Sequence, residues 1–277
     1  MRAAQALPGF SLAQWLEPGV AADLFFEGDD AALALARRAL LAVLAGERID
    51  AVAQPARGRR KKLLVADMDS TLIGQECIDE LAARVGVGAR VAAITERAMR
   101  GEIAFEPALR ERVALLAGLP ETMVAEVLES AITLTPGARA LVQTMRADGA
   151  HTAIVSGGFN LFTSAIAERL GFHEHRANRL VVVDGRLAGR VAEPILGRDA
   201  KLATLRELRA QRGLAAHETL AVGDGANDLA MLGEAGLGVA YRAKPAVAAA
   251  ADARLDYADL TAVLYAQGHK RSAFVED

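Results

Sequence analysis

The run Leu63-Leu64-Val65-Ala66 breaks off abruptly at Asp67-Met68-Asp69-Ser70-Thr71. Apolar residues followed at once by two carboxylates read as a buried parallel strand that delivers acid groups to its carboxyl end. Side chains two apart on an extended strand point the same way, so Asp67 and Asp69 share one crevice on this reading. Two like charges that close resist ionising together, and one of the two pKa values is expected to rise. One carboxylate then suits attack or metal ligation, the other proton donation. Taken alone, the pair reads as readily as two solvated turn formers, and the rest of the chain has to decide.

Other apolar runs end in the same manner, at residues 152–155, 219–222 and 237–240, each stopping near Gly, Ser or Asp. Helical patterns at 138–147, 161–170, 200–211 and 229–234 lie between them. Strand and helix in alternation predict an α/β fold, a doubly wound parallel sheet that binds ligands at the carboxyl ends of its strands. Residues 178–183 and 186–191, turned by Asp184-Gly185, read as a β-hairpin inserted in that order. The first two strands are too far apart for one crossover helix. The insert between them carries helical patterns at 78–85, 91–100, 105–117 and 120–131, which predicts a helical-bundle cap. The expected organisation is therefore an N-terminal extension, 1–58, and a domain over 59–277 with its core at 59–74 and 136–277 and its cap at 75–135. In the extension, Asp29-Asp30 predicts a helix over 31–45, stopped by Gly46.

A formal charge of −3 gives no general attraction to nucleic acid or to an anionic membrane. The short basic run from Arg57 to Lys62 reads as a solvated linker. A single cysteine, Cys77, forbids an internal disulfide framework and suits a reducing cytosol; it reads as a small buried hydrophobe. No signal-peptide pattern and no apolar stretch of membrane-spanning length is present, so the expectation is a cytoplasmic protein with a small-molecule substrate. The histidines show no zinc-site spacing and read as structural or surface residues.

Further signals fall where a doubly wound sheet places its site. Ser156-Gly157-Gly158, before a predicted helix, would let backbone N–H groups and a hydroxyl approach an anion; a simple capped turn is the alternative. Gly223-Asp224-Gly225-Ala226-Asn227-Asp228 offers hard oxygen ligands suited to Mg²⁺, with an Asx-rich turn as the alternative. Lys201, at a helix start, is placed to neutralise phosphoryl oxygens if that start faces the crevice. In the cap, positions 105, 109, 112 and 116 form one helical stripe occupied by Phe, Leu, Arg and Leu. A guanidinium on an apolar face needs a partner, either an internal carboxylate or one on a substrate. Glu76 suits an ammonium group, and equally a charge at a helix start.

The ordered set Asp67-Met68-Asp69-Ser70-Thr71, Ser156-Gly157-Gly158, Lys201 and Gly223–Asp228 resembles the four motifs of the haloacid dehalogenase-like phosphatases. Glu76–Leu81, Phe105-Glu106, Arg110–Val113 and Ala177–Leu180 narrow the resemblance to the phosphoserine phosphatase family within them, over about 61–265. The preceding residues are similar to a shortened form of a regulatory, amino-acid-binding (ACT-like) segment. The resemblance implies a core of Rossmann-like topology and hydrolysis through an aspartyl-phosphate on Asp67, with Asp69 as acid and then base. It implies Mg²⁺ held by Asp67, the Asp69 carbonyl, Asp224 and Asp228. Ser156, Gly157, Lys201 and Asn227 would then hold the phosphoryl group, while Arg112, Glu76 and Phe105 would receive the amino acid. Other readings are a phosphotransferase to an amino alcohol such as homoserine and a non-catalytic phospho-accepting regulator. A DxD glycosyltransferase would leave Lys201 and the Asp224 loop without a role.

Overall fold

The computed structural model describes residues 2–7, 9–100 and 102–275. It divides into two compact units, one of residues up to Val65, Pro136–Thr152 and those from Leu205 on, the other of Ala66–Thr135 and Ala153–Thr204.

The N-terminal stretch holds more than the one helix expected. A short helix α1 (Arg2–Gln5) precedes an antiparallel hairpin of β1 (Phe10–Glu17) and β2 (Ala21–Phe26). Helix α2 (Asp30–Val43) follows, capped by the Asp29 carboxylate, which accepts from the Ala32 N–H at 3.0 Å. Such a cap contributes about 1 kcal/mol. The hairpin escapes pattern reading because Phe10, Leu12 and Trp15 are all exposed and its register slips between Trp15 and Glu17. Its legible signal is Pro18-Gly19, with Gly19 at φ +78° in the turn. Leu7, Ala36, Leu40 and Ala53 form a small core of their own, with Leu24 and Phe26 packed against it.

The basic run is solvated only in part: Arg57, Arg60 and Lys62 are exposed, yet several of its charges are paired. Arg59 pairs with Asp23 at 2.7 Å, Lys62 with Glu218 at 2.6 Å, and Arg60 with Asp148. Lys61 is buried, its ammonium donating to the carbonyls of His217 (2.8 Å) and Gly58 (3.3 Å). Short-range neutralisation by acids distant in sequence was invisible to local charge patterning.

The central element is β3 (Leu63–Ala66), every residue of which is 0% exposed. The insert after it folds as predicted into helices α3 (Cys77–Arg84), α4 (Gly88–Met99), α5 (Phe105–Ala114) and α6 (Thr122–Ser130), followed by α7 (Ala138–Ala147). Helix α6 starts later than Pro120 implied, because the residues before it pair as a strand. The N–H groups of Gly118 and Glu121 donate to Leu187 O (2.8 Å) and Gly185 O (2.9 Å), and the Leu187 N–H donates to Leu119 O (2.8 Å).

Strand β4 (His151–Phe159), helix α8 (Asn160–Leu170) and strand β5 (Glu174–Asn178) come next, then a hairpin of β6 (Leu180–Val183) and β7 (Arg186–Val191). Positive φ at Asp184 (49°) and Gly185 (71°) turns that hairpin, as the dipeptide predicted. Asn178 was expected in the hairpin and instead ends β5. The remaining elements are α9 (Arg198–Gln211), β8 (Thr219–Gly223), α10 (Leu229–Glu234), β9 (Leu237–Tyr241), α11 (Pro245–Ala250), β10 (Ala253–Leu255) and α12 (Ala262–Ala266). The strands make a parallel six-stranded sheet in the order β10-β9-β8-β3-β4-β5. This is the doubly wound α/β topology expected. No helix among the described residues is long and apolar enough to cross a membrane.

His269 is 1% exposed, with its Nδ1 2.8 Å from an Arg60 nitrogen. A guanidinium can only donate, so the ring accepts and stays neutral. Burial first, then Arg60, push its pKa down to about 4; Asp148 pulls the other way, and Arg59 adds a smaller push down. The unfolded chain therefore takes up a proton between about pH 6.5 and 4 that the folded chain refuses. Stability is full above that window and falls through it on acidification, by an amount on the order of 2–3 kcal/mol. Urea unfolding of wild type and His269→Gln at pH 7 and pH 4.5 should show a smaller acid loss in the variant. Identical losses would assign the acid sensitivity to other groups.

Candidate active site

Immediately after β3 the chain folds into a tight loop rather than continuing extended. The Met68 carbonyl accepts from the N–H groups of Thr71 (3.2 Å), Leu72 (2.8 Å) and Ile73 (3.1 Å), and Ser70 takes φ +55°. The two aspartates thus meet through a turn, not through strand alternation. Asp67 is 5% exposed and its Oδ1 accepts from the Met68 N–H at 2.7 Å. Asp69 is half-buried and accepts from the Cys77 N–H at 3.3 Å. Burial above all, then the carboxylates of Glu76 and Asp67, raise the Asp69 pKa to about 7, against hydrogen bonds from Cys77 that lower it. The expected rise in one of the pair therefore falls on Asp69. An acid poised near neutrality can both give and take a proton.

Lys201, in the first turn of α9, places its ammonium 2.5 Å from Asp67 Oδ2, with both side chains almost wholly buried. Such a pair is retained only where each charge has a partner.

Ser156-Gly157-Gly158 does not open a helix. Strand β4 runs on through it to Phe159, and α8 begins only at Asn160. Ser156 is buried and its Oγ accepts from the Gly158 N–H at 2.9 Å. A Cβ on Gly158 would stand 2.8 Å from Asp69 Oδ2, so any larger residue would push that carboxylate out of its present place. Phe105 is 41% exposed at the start of α5, and its ring tip lies 3.5 Å from where a Gly157 Cβ would be. The amide of Asn178, a residue that pattern reading did not single out chemically, binds the Gly157 carbonyl at 2.9 Å.

On the stripe expected in α5, Leu109 and Leu116 are buried at 2% and 1%, and Arg112 lies half-buried between them. Its guanidinium donates to Ala108 O and Thr95 Oγ1, both at 3.3 Å. Among the described residues no carboxylate makes an ion pair with it; burial lowers its pKa, opposed only in part by Asp79 and then Glu76. Glu76 accepts a hydrogen bond from Ser70 Oγ at 2.7 Å. Cys77 is buried beside Asp69, and burial together with that carboxylate pushes its thiol pKa far up.

The loop after β8 has its own internal order. Asp228 is 0% exposed and accepts from the Gly225 N–H at 3.0 Å, while Asp224 is half-buried and Asn227 exposed. A Cβ on Gly223 would stand 2.4 Å from the Asp228 carboxyl carbon, so the glycine there is required by the neighbouring acid.

Residues 64–233 match the family model for haloacid dehalogenase-like hydrolases. Phosphoserine phosphatase SerB2 of Mycobacterium tuberculosis is 46% identical over 235 residues, which are 84% of this chain and 57% of that one. The chain thus spans little more than half the length of that relative. The phosphoserine phosphatase of Streptococcus thermophilus is 45% identical over 204 residues, covering 74% of this chain and 94% of the relative. A solved structure of a probable phosphoserine phosphatase from Vibrio cholerae, in unliganded form, superposes with a TM-score of 0.76 at 35% identity, over 90% of this chain and 76% of that one. The chain belongs to the haloacid dehalogenase-like hydrolase family, and within it to the phosphoserine phosphatase family.

Proposed function

We propose that this chain hydrolyses O-phospho-L-serine to serine and phosphate through an aspartyl-phosphate, as the last step of serine formation. The observation that carries the reading is the buried Asp67–Lys201 pair at 2.5 Å, next to an Asp69 whose pKa stands at about 7. Asp67 attacks phosphorus in line, and the new P–O bond forms as the bond to the serine oxygen breaks. Asp69, protonated, gives its proton to that departing oxygen. Once ionised, it takes a proton from the water that attacks the aspartyl-phosphate, which frees phosphate and restores Asp67. Lys201 and the Ser156 hydroxyl offset charge on the phosphoryl oxygens, with the Gly157 N–H beside them and Asn227 helping to orient the group.

A divalent cation fits the donor set. The loop after β8 supplies the carboxylates of Asp224 and Asp228, and the end of β3 supplies that of Asp67. All-oxygen ligation of this kind suits Mg²⁺, with the Asp69 carbonyl as a further donor. When bound, the ion would supply Lewis-acid neutralisation of the phosphoryl group.

Selectivity for an amino-acid phosphate rests on the cap. Among the described residues Arg112 donates to neutral oxygens, Ala108 O and Thr95 Oγ1, which leaves its fork suited to a substrate carboxylate, and Glu76 suits the ammonium. Phe105 packs nearby.

Purified protein with Mg²⁺ should release phosphate from L-phosphoserine, and chelation should silence it until Mg²⁺ is restored. Asp67→Asn should lower turnover by about 10³-fold or more; undiminished activity in that variant would refute the covalent route. For Arg112→Ala, kcat/KM on phosphoserine should fall by an amount equivalent to about 2–5 kcal/mol, while p-nitrophenyl phosphate turnover stays nearly unchanged. Equal losses on both substrates would make Arg112 a strut of the cap and not a substrate contact.

A further inference from the structure

We propose that Asn178 is a positioning residue that ties the end of β4 to the start of α9, so that Ser156, Gly157 and Lys201 present one fixed set of donors. This rests on the phosphatase reading above and adds to it a residue that touches neither substrate nor metal.

Asn178 ends β5 and is 1% exposed. Its Oδ1 accepts from the Leu196 N–H at 2.7 Å, and its Nδ2 donates to Leu196 O at 3.1 Å and Gly157 O at 2.9 Å. A primary amide has two donor hydrogens and one acceptor oxygen, and here all of them go to backbone atoms of two segments distant in sequence. Leu196 stands just ahead of α9. The Ala200 N–H closes the first turn on Gly197 O at 3.1 Å, and the next residue is Lys201. Through Leu196, then, Asn178 sets where the buried ammonium emerges.

Through Gly157 it sets the other wall. The Gly157 carbonyl belongs to the same peptide unit as the Gly158 N–H, which donates to Ser156 Oγ at 2.9 Å. That peptide is held at both ends, its oxygen by Asn178 and its N–H by Ser156. Because Ser156 Oγ already accepts, its own hydrogen is the group left to donate to a ligand. A side-chain clamp is needed because the β4–β5 ladder is irregular between Val155 and Phe159, so regular strand pairing does not fix this stretch. The two glycines add no stiffness of their own.

A merely structural asparagine would affect stability and leave the contribution of Lys201 intact, whereas a positioning residue is coupled to it. The test is a double-mutant cycle of Asn178→Ala and Lys201→Ala in the full chain. It is read by kcat/KM on phosphoserine and on p-nitrophenyl phosphate, and by calorimetric affinity for inorganic phosphate. Asn178→Ala should cost about 10–100-fold on both substrates alike and weaken phosphate binding. In the Lys201→Ala background the same change should cost less than about twofold. Asn178→Asp keeps the acceptor for Leu196 N–H but loses both donors; it guards against misfolding of the alanine variant and should show the same coupled loss. Losses that multiply, or a folded variant within about twofold of wild type, would overturn the proposal. A wild type that ignores phosphoserine would refute the substrate reading alone, since p-nitrophenyl phosphate and phosphate affinity still judge Asn178.

Discussion

Crowding three carboxylates, one of them buried, into one small region is costly, and the site follows from how this chain offsets that cost. Asp67 has Lys201 against it at 2.5 Å, out of solvent. Asp69 makes no ion pair among the described residues, and burial raises its pKa to about 7. Glu76, at the edge, leans on the Ser70 hydroxyl. Ion pair, retained proton and hydrogen bond are three different answers to the crowding of like charge.

The scaffold keeps these groups in place with small residues where acids press on backbone. Gly158 faces Asp69, and Gly223 faces Asp228. In both places a methyl group would collide with a carboxylate, so the glycine-rich look of these loops reflects space taken by neighbouring acids more than flexibility. Packing against the hairpin of β6 and β7 gives α5 its second support, since residues just past that helix bond to Leu187 and Gly185.

Much of this was legible in the chain. The apolar runs ending in Asp located β3 and β8 because strands buried on both faces leave an unbroken hydrophobic signal. Arg112 stood out as a charge on an otherwise apolar stripe, and the structure places it between two buried leucines. Less legible were features fixed by distant partners. Ser156-Gly157-Gly158 looked like a helix start, yet β4 extends through it because β5 pairs beyond it, Phe159 opposite Asn178. Strand β5, with the sequence EHRAN, carries too little apolar character to announce itself. The basic run looked solvated because the acids that meet it, Asp23, Asp148 and Glu218, lie far off in sequence. The hairpin at Phe10–Phe26 was hidden by its own exposure.

Cys77 carries a practical corollary. It is the lone sulfhydryl of the 277-residue chain, and its surroundings hold it in the unreactive, protonated form. Maleimides and mild oxidants should find little to modify, so a fluorophore or spin probe attached at an engineered surface thiol would report from that place alone. Distances across the helical insert thereby become measurable without first stripping the native sulfur from beside its most sensitive acid.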